Sequence, residues 1–226
     1  MNFEVIDVLK NDFSDKEKRK GILSVIIFII AGIIAVGYGI YSMNQLANTK
    51  TTLDNLFDKE NVRSEYVGGK VHYSSSAFYE VDHKMWGLIT TSKDYYYILY
   101  SEDMKNGIVL KSDKDWYENF NPATHEALKE ITLSGKVTLT DYDVQHYLED
   151  KGVAEFGGIN LIYKYCIDDG EKSFARACII AGSSEVLAFL CFFVLVLARN
   201  EKIRKIFAVL TTTGFGVMLL CMMGII

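Results

Sequence analysis

The chain has 226 residues, 50% of them hydrophobic, a formal charge of −5 and a single proline, Pro122. Its mean hydropathy of only +0.11 averages two kinds of segment, and 13% aromatic residues exclude a disordered or collagen-like chain. Three nearly uncharged runs, 21–41, 177–198 and 206–226, are each as long as the roughly 20 helical residues that cross about 30 Å of hydrocarbon, which excludes a wholly soluble protein.

Basic residues sort loops across a bilayer, and here the sorting is consistent. Lys10, Lys16, Lys18, Arg19 and Lys20 precede the first run, while Arg199, Lys202, Arg204 and Lys205 separate the second from the third. Both clusters are expected in the cytoplasm. The sequence therefore predicts a cytoplasmic segment 1–20, a transmembrane helix over 21–43, an extracytoplasmic domain over 44–176, a second helix over 177–198, a cytoplasmic loop 199–205 and a third helix over 206–226 that ends outside. The large segment holds 15 basic and 22 acidic side chains, as expected of a translocated domain. The first run is longer than the core of a cleavable signal and ends in Tyr-Ser-Met-Asn, not in small residues, so it reads as an uncleaved signal-anchor.

Within the large segment both hydrophobic periods occur. Residues 44–60 place Leu46, Leu53, Leu56 and Phe57 at helical spacing and continue the first span outward until Gly68-Gly69 breaks the helix. Residues 70–81 alternate, with Val71, Tyr73, Ser75, Ala77, Tyr79 and Val81 on one face of a strand, and 86–91 is a short second strand. Residues 94–101 are apolar on both faces, which predicts a central strand. Asn106-Gly107 supplies the positive φ angles of a tight turn, so 94–112 reads as a β-hairpin. Asn121-Pro122 looks like an N-cap and first helical position, opening a helix over 123–133 that Ser134-Gly135 ends. A short strand over 136–139, a helix over 142–151 capped by Thr140 or Asp141 and closed by Gly152, and a strand over 159–167 complete the order. The predicted fold class is a membrane protein with three transmembrane α-helices and an extracytoplasmic α+β domain built on a mixed, largely antiparallel sheet.

Several of these pieces, Gly69-Lys70-Val71, Tyr95-Tyr96-Tyr97-Ile98, Gly107-Ile108-Val109-Leu110-Lys111 and Leu133-Ser134-Gly135-Lys136-Val137, occur in an order that resembles a family of uncharacterised membrane proteins from Gram-positive bacteria. The resemblance covers about residues 69–165. It implies a membrane-anchored extracytoplasmic α+β domain and a bacterial plasma-membrane location, and it carries over no functional residue.

Glu185 is the one ionisable residue well inside an expected span, and a carboxylate in hydrocarbon faces the bundle interior, is protonated or contacts water. At 1.5 Å per residue its depth matches Ile34 on the first span and about Leu219 on the third. Tyr38, the hydroxyl-bearing side chain near that depth, is its preferred partner. Glu185 is read either as an ion or proton site or as a neutral acid that holds helices together. Ala31, Ala35 and Gly39 recur every four residues and allow close helix contact, within the chain or in a homo-oligomer. Thr211-Thr212-Thr213 reads as hydroxyls bonding back to their own helix. Cys166 and Cys178 could form one disulfide, with a thiol of Cys166 facing into the sheet as the equal alternative.

His72, His83, His125 and His146 show no metal-ligand spacing, and no HExxH, CxxC or phosphate-loop pattern occurs. His72 beside the serines 74–76 could be imagined as a nucleophile pair, but residues at i and i+2 on a strand share a face by geometry alone, so it reads as a strand surface. The tyrosines 95, 96, 97, 100, 163 and 165 could line a groove or pack the sheet, and Asp168, Asp169 and Glu171 form an acidic turn. The sequence thus points to a non-enzymatic binding, sensing or assembly module without cofactor or metal. Its partners would be the lipid bilayer and a protein or second copy, not nucleic acid. The alternative is a small transport or channel subunit that uses Glu185.

Overall fold

The structure is a computed structural model that describes residues 15–85, 89–121, 123–151, 158–197 and 201–222. It divides into two compact units, one of Met1–Ile40 with Arg176–Ile226 and one of Tyr41–Ala175. The elements in chain order are α1 (Asp15–Asn48), α2 (Leu53–Phe57), β1 (Tyr66–Ser74), β2 (Tyr79–Met85), β3 (Ile89–Tyr100), β4 (Asn106–Ser112), a 3₁₀ turn (Tyr117–Asn119), β5 (Glu126–Leu139), α3 (Tyr142–Lys151), β6 (Asn160–Asp168), α4 (Glu171–Leu197) and α5 (Glu201–Met222).

In the helical unit, glycines let backbones touch. A Cβ built on Gly182 would sit 2.5 Å from the Gly32 carbonyl oxygen, and one on Gly32 would sit 2.9 Å from the Gly182 oxygen, so only hydrogen fits at this crossing of α1 and α4. Gly214 seats α5 in the same manner, with its Cβ position 2.8 Å from that of Ala188. Phe189 joins all three helices, stacked on Phe28 at 4.8 Å and edge-on to Phe215 at 5.2 Å. The outward surface carries Ile22, Leu23, Ile26, Ile27, Ile33, Ile34, Leu187, Leu190 and Phe193, all exposed. Among the described residues two helical segments, Ile22–Asn48 and Glu171–Leu195, are long and apolar enough to cross a membrane, and only 11% and 22% of their most apolar windows are buried. Core helices of soluble proteins are mostly covered. The expected third span is corrected by its length: α5 is helical as predicted, but its described apolar stretch is the shorter Lys205–Met218.

In the other unit the strands form one mixed sheet in the order β1-β5-β6-β4-β3-β2, and a further β1–β3 pairing closes β1, β5, β6, β4 and β3 into a five-stranded barrel. Only β4 and β6 run parallel; all other neighbours are antiparallel. This is a Greek-key ring with the arrangement of OB-type barrels. The α+β expectation survives at that level, with a closed ring in place of an open sheet. Inside the ring lie Val67, Val71, Tyr97, Leu99, Ile108, Leu110, Leu133, Val137 and Ile167, sealed by Leu53 and Leu56 of α2 and by Trp116 and Phe120. Outside it a second core joins Tyr96, Ile98, Tyr100 and Val109 to Val144 and Leu148 of α3. The two-sided apolarity of residues 94–101 therefore has two destinations.

Several local readings change for physical reasons. The expected helix over 123–133 is strand: the Asn121 side chain accepts from the N–H groups of Ala123 and Thr124, as a cap would, but His125 at φ 60° turns the chain into β5. Pro122 lies outside the described residues. Ser134-Gly135 does not stop an element, because Gly135 lets Asp168 approach within 2.7 Å of its Cβ position. The expected strand over 70–81 is two strands on a bent path. Ser75 pairs with Ile98 through both its N–H and its hydroxyl, which carries the chain from β1 along β3 into β2. Gly68-Gly69 lies within β1, and the helical continuation over 44–60 ends at Asn48 before Thr52 caps the short α2. The β3–β4 hairpin forms as predicted, but its left-handed turn residue is Met104 at φ 54°, and Asn106-Gly107 begins β4. The predicted second strand is absorbed into β3, with Trp86 outside the described residues.

Candidate functional site

The densest charged network lies on the outer face of the barrel. Cross-strand register sets Lys111 of β4 opposite Tyr96 of β3, and Asp94, two residues before Tyr96, shares that face. The Lys111 ammonium is 3.1 Å from Asp94 and 3.2 Å from Asp141 at the start of α3, and the Tyr96 hydroxyl donates to the same Asp141 oxygen. His83 of β2 reaches Asp94 at 2.7 Å. Four elements thus meet around one cation.

Burial alone would pull the Lys111 pKa down, but its two carboxylates hold it above the ordinary lysine value. Burial would raise Asp141, yet the Tyr96 hydroxyl and the Lys111 charge hold it below the ordinary carboxylate value. Tyr96 itself is pushed far up, first by burial and then by its bond to Asp141. These three groups stay ammonium, carboxylate and phenol through neutral pH. The arrangement can clamp the α3 N-terminus to the hairpin, and none of the three is tuned for proton transfer near neutrality.

A second polar cluster gathers the start of α4 and the end of α1. Ser42, fully buried, donates to Glu171 at 2.5 Å, Tyr66 reaches Ser42 at 3.5 Å, and Lys136 lies 3.9 Å from Glu171 and 5.4 Å from the centre of the Tyr66 ring. Buried polar groups need such partners, since each would otherwise lose its hydration uncompensated.

The residues singled out in the sequence fall in several places. Glu185 lies over Gly32, its Oε2 atom 3.4 Å from the Cβ position there, close to the depth estimate of Ile34 and about 9 Å along α1 from Tyr38. Ala35 is at the helix contact, 3.1 Å from the Gly182 Cβ position, and Gly39 is buried, whereas Ala31 is exposed and its neighbour Gly32 takes the inward place. Thr211, Thr212 and Thr213 each donate to the carbonyl four residues back, as expected. Cys166 and Cys178 are both thiols, and Cys166 is buried in the outer core with its pKa raised by that burial. Tyr96, Tyr97 and Tyr100 are core residues, and Tyr163 and Tyr165 pack against the two cores. A bulge between Val71 and Tyr73 breaks the alternation, so His72 is exposed beside Glu102 while Ser74 is buried. Among the described residues no group of three His, Cys, Asp or Glu side chains could hold a metal ion.

Sequence reasoning missed the Lys111 network. The hairpin alone would have placed Lys111 against Tyr96; Asp141 and His83 join only through tertiary register. No protein-family model, no curated protein and no solved structure matches the chain.

Proposed function

We propose that this is a membrane-anchored protein that presents its barrel outside the plasma membrane as a module for binding, sensing or assembly with a protein partner. The observation that carries the reading is a self-contained barrel flanked in sequence by the two apolar helices, whose large side chains stay exposed. The basic residues before the apolar stretch of α1 and after α4 support an inside N-terminus and an outside barrel. OB-type barrels bind oligonucleotides or oligosaccharides on the outer face of their second and third strands, here β3 and β4. In this chain α3 packs its own Val144 and Leu148 on that face, which favours a partner that docks elsewhere.

Whole-cell labelling with a membrane-impermeant thiol reagent tests the topology in a background with the four native cysteines replaced. Tyr142→Cys, 79% exposed on α3, should label in intact cells and Lys202→Cys only after permeabilisation; the reverse order sinks the reading. Cross-linking from native membranes then recovers the partner. The transport alternative rests on Glu185 at the α1–α4 contact, and it gains if Glu185→Gln keeps folding and assembly but abolishes an ion-dependent phenotype.

A further inference from the structure

Asp169 occupies the turn between β6 and α4, and its two carboxyl oxygens have different surroundings. Oδ2 accepts from the Ser112 hydroxyl at 2.8 Å, and Ser112, 1% exposed, in turn accepts from the Lys114 N–H at 3.1 Å. Oδ1 is cut off from solvent and has no hydrogen-bond partner. The backbone around it is tied down: the Asp169 N–H donates to the Lys111 carbonyl, the Gly170 N–H to the Asp168 side chain, and the Phe174 N–H to the Gly170 carbonyl as α4 begins. Half of an ionised carboxylate buried without a donor is costly, whereas a neutral acid in the same place loses far less hydration.

The surrounding charges do not supply the missing donor. Lys111 is engaged by Asp94 and Asp141, and Lys136, opposite Asp168 in register, is turned to Glu171. Lys114 attracts Asp169, while Asp113 and Asp168 repel its charge. Asp168 is itself raised by burial, with Asp94 and Glu171 adding to the effect. We propose that the seating of the buried Asp169 carboxyl, with its Oδ1 left without a donor, is a proton-operated latch on the turn that joins β6 to α4, closed while the carboxyl is neutral and loosened when it ionises. This goes beyond the binding reading and holds whichever partner the barrel takes.

Burial pushes Asp169 from 3.8 up to about 6. A raised folded-state value means the stabilisation is full below the ordinary value and is lost as pH rises through about 6. The test uses the intact protein in detergent micelles between pH 5 and pH 7.5. Amide hydrogen exchange of residues 169–174, corrected for its intrinsic pH dependence, should speed up about tenfold over that range, and the unfolding temperature should fall by roughly 5 °C. Asp169→Asn, the uncharged isostere, should flatten both responses, and Ser112→Ala should move the midpoint upward by removing the donor to the charged form. Wild-type exchange in this segment that does not change with pH overturns the proposal, as does an Asp169→Asn protein that keeps the wild-type response. If Asp169→Asn does not fold, the wild-type exchange measurement decides alone.

Discussion

The helical unit and the barrel bury their side chains on opposite terms. In the helical unit the contacts are made by what is missing: Gly32, Gly182 and Gly214 bring backbones together, and the large aliphatic residues point away. In the barrel the large residues are the contacts, with Tyr97, Leu99, Ile108, Leu110 and Ile167 each fully buried. Lipid is as apolar as leucine, so a bilayer offers no reward for hiding side chains between helices, whereas water rewards each one hidden inside a ring of strands. The same residue type therefore has a different energetic meaning in the two places.

The sharpest test of that contrast is a matched truncation. Leu99→Ala should cost about 3 kcal/mol of barrel stability, because it leaves a cavity in the ring, while Ile34→Ala, 65% exposed on α1, should change stability in micelles by less than about 0.5 kcal/mol. A large loss at Ile34 would break the comparison and show that this face is covered by another protein surface. Next in size is Lys111→Met, expected to cost about 2–3 kcal/mol at neutral pH by leaving Asp94 and Asp141 facing each other. Because Asp141 is held below its ordinary value, the stability it contributes is present above about pH 4 and disappears as pH falls through its folded value. An acid titration of unfolding should show this loss in wild type and a smaller one in Lys111→Met, which keeps the Tyr96 bond to Asp141. Gly182→Ala should cost about 1–2 kcal/mol, since the added methyl meets backbone and not a side chain that can move. Below Gly182→Ala comes Thr52→Ala, about 1 kcal/mol from losing the cap that accepts the Asn55 N–H.

How much could be read in advance follows the same division. Apolar length is a local property, so the two long apolar helices, the strand 94–101, the β3–β4 hairpin, helix 142–151 and the last strand were all visible in the chain. Ring closure was not, because it depends on two residue pairs, Tyr73 with Tyr100 and Ser74 with Leu99, and on one serine hydroxyl at the bend. The segment after Asn121 misled for a related reason. Its capping chemistry is common to helices and turns, and pairing with β1 over Val71–Tyr66 decides between them. The glycine stripe was legible to within one position: spacing identified small residues, and only the packed helices show Gly32 inward and Ala31 out.

The strand order has a consequence for biosynthesis. β6 is the last strand to be made, and it lies between β4 and β5. Until residue 168 has emerged, both of those strands keep an open edge, bearing Val109, Leu110 and Val137, that could pair with the wrong chain. α4 begins at Glu171, immediately behind β6. The nascent protein thus completes its ring and starts its second apolar helix almost together, which leaves little time in which a finished helix hangs from an unfinished domain.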